Sequence, residues 1–429
     1  MGKENVKLGL IGMGTIGAGV VELFKQNGSR ISEQIDINLV LEKVADRDLS
    51  RAQGFDLADG VMTAEALEVI DNPEIDIVIE LIGGIEPARG FITRALENGK
   101  YVVTANKDLM ATYGEELFAL ARKHNRNIFY EASVGGGIPL IRPLKQSLIA
   151  DRLHRIIGIV NGTTNYIFTR MTTDNLDLKE ALAEAQKLGF AEPDPTNDIE
   201  GRDAVYKLVI MAGLAFGQSI APDQVYVQGI SGVTFQDITY ARELGYAIKL
   251  LAIGEKLPSG IALRVHPALV SHVHPLASVR DEFNAIFIEG EAVGDVMLYG
   301  RGAGAKPTAT AILADVAEAA RSIRQQTNGG VIEKIAMQST SLPITELISR
   351  FYLRILADDR PGVFASLGNA FGDEQVSLDM VIQKRRVGTM AEIVLVTHDV
   401  KEEAFQKAFS KVMQIPAVKP EPSMIRLLG

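Results

Sequence analysis

The sequence predicts an α/β protein with an N-terminal doubly wound sheet, a central α+β domain and a small C-terminal module. In the first third of the chain, short runs rich in Val and Ile alternate with helical patterns, and the first run leads into a glycine-rich turn. From Arg350 the pattern changes to βαββα, which is typical of a ferredoxin-like module. A chain of 429 residues is too long for one hydrophobic core, so we expect two or three domains.

The N-terminal apolar runs are continuous rather than alternating, as expected for strands that are buried on both faces of a parallel sheet. They cover residues 6–12, 37–46, 75–84, 101–107 and 127–134. The segments "ARGFITRALENGK" and "GEELFALARKHNR" have helical spacing and supply connecting helices. We therefore predict a βαβ series over residues 1–138.

A dinucleotide fingerprint follows the first run, in "LGLIGMGTIGAGVVELF". Gly12, Gly14 and Gly17 form G-x-G-x-x-G at a strand-to-helix turn, with Thr15 and Ile16 at the helix N-terminus. This context predicts a Rossmann-type domain that holds the pyrophosphate of NAD or NADP, whereas a mere tight turn is the alternative.

Cofactor choice stays open on the sequence. Asp46 ends the second run and could accept hydrogen bonds from ribose hydroxyls, which favours NAD. The adjacent Arg47 could bind a 2′-phosphate, which favours NADP.

The carboxyl ends of the other predicted strands carry polar residues where ligands bind in such sheets. Thr104 and Lys107 lie in "TANK", and "EASVGGG" begins at Glu131. Lys107 is a candidate functional lysine, although a surface lysine is the simpler alternative.

The middle of the chain is expected to form an α+β domain over residues 139–328. We predict a polar-alternating strand near "GIALRVHPALV", and the loop "YGRGAGAKPTATA" opens a helix that ends near Arg324. That helix, from about residue 305, is expected to return to the Rossmann domain. A polar linker is predicted over residues 329–349, followed by the module over residues 350–429.

The stretch "GFAEPDPTNDIEGRDAVYKLVIMA" combines acids with a lysine on a mostly apolar helix. Asp203 and Lys207 are four residues apart, so they share one helix face. An exposed ion pair of little consequence is one interpretation. The other is a partly shielded lysine that serves a developing alkoxide, with Glu192, Asp198 and Asp203 around a substrate ammonium.

The ordered motifs "TANK", "YEASVGGGIP", "IVNGTTNYI" and "GFAEPDPTNDIEGRDAVYKL" behind a Rossmann N-terminus closely resemble the homoserine dehydrogenases. The C-terminal "ILADDRPGVFASLGNAFGDEQVSLDMVIQ" resembles an ACT domain, an amino-acid-sensing module. The resemblance implies reversible reduction of L-aspartate 4-semialdehyde to L-homoserine with NAD(P)H. It also implies threonine as an effector at the ACT domain, and a homodimer or dimer-based tetramer.

The resemblance assigns roles to particular residues. Lys207 matches the proton donor and Lys107 a second lysine at the cofactor or substrate, whereas Glu192, Asp198 and Asp203 match substrate-binding positions. Gly189 and Gly304 match positions near the cofactor. A monovalent cation site, generally sodium, matches Glu131, Val134, Gly136 and Ile138, three of them through backbone carbonyls.

Composition argues against other classes of protein. A net charge of −10 without a run of Lys and Arg argues against nucleic acid as a partner, and no apolar stretch reaches bilayer length. The absence of cysteine fits a reducing compartment, so with no signal-peptide pattern we expect a cytoplasmic protein. His272 and His274 alternate as strand neighbours would, and we expect them to have a surface role.

Two other functions remain open from the sequence. A non-catalytic NAD(P)-binding amino-acid sensor would use the same first and last domains, and a related dehydrogenase would act on another short amino-acid aldehyde. For the C-terminal module, dimerisation without a ligand is the alternative.

Overall fold

The computed structural model describes residues 5–328 and 339–429. These residues form two compact units, and the chain passes between the units several times. The first comprises Met1–Ile156, Tyr206–Pro222 and Asn284–Ser339, and the second Ile157–Val205, Asp223–Phe283 and Thr340–Gly429. Most of the predicted linker, residues 329–338, lies outside the described residues, and the three predicted boundaries between domains and linker stay predictions.

The elements have the following bounds. The strands are β1 Asn5–Ile11, β2 Asn38–Ala45, β3 Met62–Thr63, β4 Ile77–Glu80, β5 Tyr101–Thr104, β6 Ile128–Phe129, β7 Leu153–Ile159, β8 Tyr226–Val227, β9 Tyr246–Leu257, β10 Gly260–Ser271, β11 Phe283–Gly290, β12 Gly294–Arg301, β13 Ile348–Asp358, β14 Leu378–Val387, β15 Met390–Thr397, β16 Val400–Lys401 and β17 Ser423–Leu427. The helices are α1 Thr15–Ile35, α2 Ala66–Ile70, α3 Ala88–Glu97, α4 Lys107–Lys123, α5 Gly162–Thr173, α6 Leu178–Lys187, α7 Thr196–Ile199, α8 Arg202–Phe216, α9 Phe235–Glu243, α10 Ala305–Arg324, α11 Val363–Gly372 and α12 Glu402–Met413.

The first unit contains a six-stranded parallel sheet in the order β3-β2-β1-β4-β5-β6. This is the strand order of a doubly wound nucleotide-binding fold, whose ligand crevice lies where the order reverses, between β1 and β4. The sheet confirms the predicted parallel fold. The two-residue strand β3 was missed, because it is too short to give a periodic pattern.

Helix α10 belongs to the core of this sheet, although it comes late in the chain. It packs on α1, where Gly19 leaves room for Ala305, and its Ile312 and Val316 are buried with the strand residues. Helix α10, which follows a second glycine loop that begins at Tyr299, therefore completes one face of the nucleotide-binding domain.

The second unit contains an antiparallel hairpin of β9 and β10 in one sheet with the C-terminal module. The strand order there is β9-β10-β17-β13-β15-β14, and β17 pairs in parallel with β10 and antiparallel with β13. The module thus has the βαββαβ order of an ACT domain. Stacked rings of Phe351 and Phe405, 3.6 Å apart, pack β13 against α12.

Two expectations about β10 are wrong. We predicted that buried residues would alternate with exposed polar ones, but residues 261–270 are all buried. Strand β10 is covered because β9 pairs with it on one side and β17 on the other. His272 and His274 follow the end of β10 at Ser271 and are not strand neighbours. His274 instead accepts a hydrogen bond from the backbone N–H of Leu276.

Among the described residues, no helix combines the length and apolar character needed to cross a membrane.

Candidate active site

The glycine loop between β1 and α1 has the geometry that a dinucleotide requires. Gly12 has a φ of +100°, and a Cβ there would lie 2.8 Å from the carbonyl oxygen of Leu81. A Cβ on Gly17 would overlap the carbonyl oxygen of Gly12. At Gly14, the N-cap of α1, the nearest atom to such a Cβ is 3.8 Å away, so space is left for a ligand at the helix N-terminus.

Asp46 lies beside this loop and is already held by the protein. Its Oδ2 accepts from the Met13 N–H at 2.6 Å and from Arg51 at 3.2 Å, and its Oδ1 accepts from the Asp48 N–H at 2.9 Å. Arg47, the residue predicted from the sequence to bind a 2′-phosphate, is exposed. Arg51 was not predicted from the sequence, but its guanidinium lies 3.8 Å from the position that a Cβ on Gly14 would take.

A buried carboxyl group organises the carboxyl ends of β4 and β5. Glu80 is 0% exposed and accepts from the Thr104 hydroxyl at 2.7 Å and from the Ile82 N–H at 2.8 Å. Burial raises the pKa of Glu80, and these hydrogen bonds oppose the shift. Thr104 also accepts from the Asn106 N–H at 3.0 Å, so its side chain links the end of β5 to the loop that follows it.

Lys107 occupies the first position of α4. Asn106 caps this helix by accepting from the Leu109 N–H at 3.1 Å, and it donates to the Gly84 carbonyl at 2.7 Å. A cation at a helix N-terminus is unfavourable by about 0.3–1 kcal/mol, partly offset here by Asp108, 3.8 Å from the Lys107 Nζ. Lys107 therefore lies just beyond the carboxyl end of β5, where ligands bind in sheets of this kind.

The predicted cation loop lies at the end of β6. Glu131 is buried, and its carboxylate accepts from the backbone N–H groups of Leu140, Ile141 and Arg142 at 2.5–2.9 Å. Three of its roughly four acceptor positions are thus used by the backbone. Val134 and Ile138 in the same loop are buried. Because their side chains are apolar, the only polar groups that they can offer to a cation are backbone atoms.

Positive φ values turn the backbone sharply within this loop. Gly136 has a φ of +52°, and a Cβ there would overlap the carbonyl oxygen of Gly302. The second glycine loop, which contains Gly302 and Gly304, therefore packs directly on the cation loop. Gly304, with a φ of +113°, is the N-cap of α10, so this loop also ends at a helix N-terminus.

Asp315 on α10 ties the cation loop to the helix. It accepts from the Glu131 N–H at 2.8 Å and from Arg142 at 3.0 Å. Burial, together with the charge of Glu131, raises the pKa of Asp315 to about 7.

In the second unit, one amide joins two of the predicted substrate acids. The Asn161 Nδ2 donates to the Asp198 Oδ1 at 2.7 Å and to the Asp203 Oδ2 at 2.9 Å. Asn161 is also the N-cap of α5. Its motif, "IVNGTTNYI", is one of those that carry the family resemblance, but the motif predicted no role for the residue itself.

The loop that carries Gly189 and Glu192 is held by hydrogen bonds from α5 and α6. The Thr163 hydroxyl donates to the Phe190 carbonyl at 2.7 Å, and Gln186 donates to the Glu192 carbonyl at 3.1 Å. Gly189 has a φ of +78° and the Glu192 side chain is exposed. The hydrogen bonds of Asn161 thus join Asp198 and Asp203, whereas the place of Glu192 in the pocket stays a prediction.

Lys207 is half-buried on α8, one turn after Asp203 on the same helix. The residues that follow it, Leu208 to Met211, are buried, as the apolar sequence predicted. This helix thus carries one acid of the cluster and the predicted proton donor at a fixed spacing of about 6 Å along its axis.

Comparisons with known proteins match both parts of this site. Two family models, described as the NAD binding domain of homoserine dehydrogenase and as homoserine dehydrogenase, match residues 12–131 and 139–317. The chain is 42% identical to the homoserine dehydrogenase of Synechocystis sp. over 99% of this chain and 100% of that protein. The chain belongs to the homoserine dehydrogenase family. Bacillus subtilis has a homoserine dehydrogenase 39% identical over 99% of this chain and 98% of its own.

Solved structures of homoserine dehydrogenases have the same fold. The enzyme from Thiobacillus denitrificans has a TM-score of 0.94 and 39% identity, covering 100% of this chain and 99% of its own. A hyperthermophilic archaeal homoserine dehydrogenase in complex with NADPH has a TM-score of 0.63 and 28% identity, over 73% and 97% of the two chains. An ACT domain model matches residues 351–417. This homoserine dehydrogenase is an NAD(P)-dependent oxidoreductase with a C-terminal ACT domain.

Proposed function

We propose that Lys207 gives a proton, or a positive charge, to the substrate oxygen, while Asp203 and Asp198 receive the substrate ammonium. Glu192 would contribute from the loop that Thr163 and Gln186 hold. The family reaction is the reversible reduction of L-aspartate 4-semialdehyde to L-homoserine. The observation that carries the proposal is the joining of Asp198 to Asp203, one helical turn before a half-buried lysine.

NAD(P)H, when bound, supplies the hydride that becomes the new C–H bond at the aldehyde carbon. The carbonyl π electrons then move onto oxygen, which takes a proton from the Lys207 ammonium, so the products are the alcohol and NAD(P)⁺. The two carboxylates neutralise and orient the substrate ammonium. No covalent bond to the protein forms, in keeping with a chain that has no cysteine.

Substitution of Lys207 tests this role. Lys207→Ala should lower kcat by about a hundredfold or more, as is usual for loss of a general acid, while the Kd for NADPH is unchanged. The assay follows NADPH oxidation with aspartate semialdehyde. Lys179→Ala, at an exposed position on α6, is the matched control. A Lys207→Ala enzyme with wild-type kcat would remove the residue from the chemistry, and no turnover by the wild type would refute the assigned substrate.

Lys107 is proposed to contact the cofactor or substrate and to share in proton transfer. Its support is the unfavourable placement of a cation at the first position of α4. Lys107→Ala should lower kcat/KM for homoserine while raising the melting temperature slightly or not at all. Lys123→Ala, at the opposite end of the same helix, should leave kcat/KM unchanged. A kcat/KM for homoserine that is the same in Lys107→Ala and Lys123→Ala would contradict a functional role for Lys107.

The cofactor is proposed to contact Gly12, Gly14, Thr15, Ile16 and Gly17 of the first loop, and Thr104, Gly189 and Gly304 elsewhere. We further propose a preference for NADP. The Asp46 carboxylate already accepts three protein hydrogen bonds, Arg51 offers a cation beside Gly14, and the exposed Arg47 follows Asp46 directly in the chain. Arg51→Ala should reduce the ratio of kcat/KM for NADPH over NADH about tenfold. An unchanged ratio in Arg51→Ala and Arg47→Ala would count against this preference.

A monovalent cation, most simply sodium, is proposed at Glu131, Val134, Gly136 and Ile138. The fit rests on oxygen donors: one acceptor position of the Glu131 carboxylate and the backbone carbonyls of a sharply turned loop. Sodium chloride should then raise the melting temperature relative to tetramethylammonium chloride at equal ionic strength. Identical melting temperatures in both salts would overturn the proposal.

Threonine is proposed as the effector of the ACT domain, with "DDRPGV" as its binding turn. Arg354 on β13 donates to Asp237 on α9 at 2.7 Å and to Glu392 on β15 at 3.0 Å, so a buried ion-pair network joins the module to the second unit's helices. L-Threonine should therefore raise the KM for homoserine. Asp359→Ala in the turn should weaken this inhibition, whereas Asp373→Ala, at the exposed end of α11, should not.

The protein is further proposed to be cytoplasmic and to form a homodimer or a dimer-based tetramer. Light scattering coupled to size-exclusion chromatography gives the mass directly, and a single 46.5 kDa species would contradict the assembly.

A further inference from the structure

We infer that Asn161 is the positioning residue of the substrate pocket, because it fixes Asp198 and Asp203 in the one geometry that receives the ammonium group. The inference rests on the proposed role of these two acids. On this inference, the selectivity for a substrate with an amino group depends on the uncharged Asn161 side chain, which lies at the start of α5 and not on the helices that carry the two acids.

The first observation is that every polar position of the Asn161 side chain is used. Its Nδ2 donates to Asp198 at 2.7 Å and to Asp203 at 2.9 Å. Its Oδ1 accepts from the Thr164 N–H at 2.9 Å and from the Thr164 hydroxyl at 2.9 Å. Because an amide has two donor hydrogens and two acceptor lone pairs, the side chain has one possible orientation.

The second observation is where the three partners come from. Asn161 precedes α5, Asp198 lies on α7 and Asp203 lies in the first turn of α8. No single element would hold the two carboxylates together, and like charges repel each other. The Asn161 amide offsets this repulsion with a donor to each, and it is only 6% exposed, so water competes little.

The third observation concerns the helix behind the amide. Asn161 caps the twelve-residue helix α5, whose N-terminal partial positive charge also faces the acids. Thr163, in the first turn of α5, donates a hydrogen bond to the carbonyl of Phe190 in the loop that carries Glu192. The start of α5 therefore positions the whole acidic segment, and Asn161 is its contact with the charged groups.

Two substitutions separate positioning from helix capping. Asn161→Ser retains a good N-cap residue but is too short to reach both acids. Asn161→Asp retains the shape and the cap but removes both donor hydrogens. Thr164→Val is the matched control, since it removes a buried hydroxyl from the acceptor side of the amide and leaves the bridge to the acids intact.

The measurements are steady-state kinetics with L-homoserine and with 4-hydroxybutanoate, the same alcohol without the amino group. Both Asn161 variants should raise the KM for homoserine about tenfold or more, the loss typical of one hydrogen bond to a charged group. The kcat and the KM for NADP⁺ should stay within about threefold, because the hydrogen bonds of the Asn161 side chain go to Asp198, Asp203 and Thr164 and to none of the residues proposed to hold the cofactor. Selectivity for homoserine over 4-hydroxybutanoate should fall by a similar factor, whereas Thr164→Val should retain it.

Asp203→Asn distinguishes the two ways in which this reasoning could fail. If Asp203→Asn leaves the homoserine KM unchanged, the ammonium site itself is wrong. If Asp203→Asn raises this KM but both folded Asn161 variants keep the wild-type value, only the positioning role of Asn161 is wrong. Failure of both Asn161 variants to fold, judged by circular dichroism, would make the residue structural and would also overturn the inference. In the double variant Asn161→Ser/Asp203→Asn the two effects should not add.

Discussion

Deprotonation of a single buried lysine should make this protein more stable as the pH rises above 8. Lys249 on β9 is 4% exposed and donates to the Asn165 Oδ1 at 3.0 Å and to the carbonyl of Val279. Burial lowers the pKa of Lys249 to about 8, and the charge of Arg280 adds to this shift, while Asp281 opposes it. In the unfolded chain its ordinary value is 10.5.

The sign and size of the effect follow from these two pKa values. Between pH 8 and 10.5 the unfolded chain holds the Lys249 proton and the folded protein has released it, so the free energy of unfolding rises with pH. The slope approaches about 1.4 kcal/mol per pH unit, which gives about 2 kcal/mol between pH 8 and 9.5. Lys249→Met, which packs a similar stem without the charge, should lack this contribution.

The assay is urea unfolding followed by circular dichroism, because the chain has no tryptophan. Wild type, Lys249→Met and the exposed control Lys179→Met are compared at pH 7.5, 8.5 and 9.5. Other groups titrate in this range, so the quantity of interest is the difference in unfolding free energy between wild type and variant. A difference for Lys249→Met that stays constant over the three pH values would refute the reasoning, as would an equal change in the control.

Two further predictions concern the cofactor loop and the ACT domain. Gly17→Val places a side chain against the carbonyl oxygen of Gly12, so the loop must shift and the Kd for NADPH should rise about tenfold or more, measured by isothermal titration calorimetry. Arg354→Met leaves Asp237 and Glu392 buried without their shared cation, at a cost of about 3–5 kcal/mol in the free energy of unfolding. Thermal unfolding measures this loss, and threonine inhibition should weaken in the same variant.

The parts of the site that sequence could predict are those with local requirements. Gly12 and Gly17 meet backbone atoms of their own loop or of the neighbouring strand end, so the demand for glycine is written into one short motif. Lys107 is similar, because it follows directly from the end of β5 and the start of α4. The parallel sheet and the ACT module were predictable for the same reason, since their patterns repeat within a few residues.

The parts that sequence missed depend on partners far along the chain. Asn161 meets acids that lie 37 and 42 residues later, and nothing near it marks that contact. Arg51 approaches the glycine loop only after a turn beyond β2, so the adjacent Arg47 looked like the better candidate. Strand β10 was expected to alternate because its sequence contains polar residues such as Arg264 and His266, but both are buried.

The pairing of β17 with β10 has a consequence for any test of the proposed threonine regulation by truncation. Removing the module after Ser349 would take β17 away and leave the backbone of Ala268 and Leu269 as an open apolar edge. Such an edge invites pairing between molecules, so a truncated enzyme should precipitate, and its loss of threonine response would mean little. Point substitutions in the turn "DDRPGV", which keep the sheet whole, are the better test of the proposed threonine response.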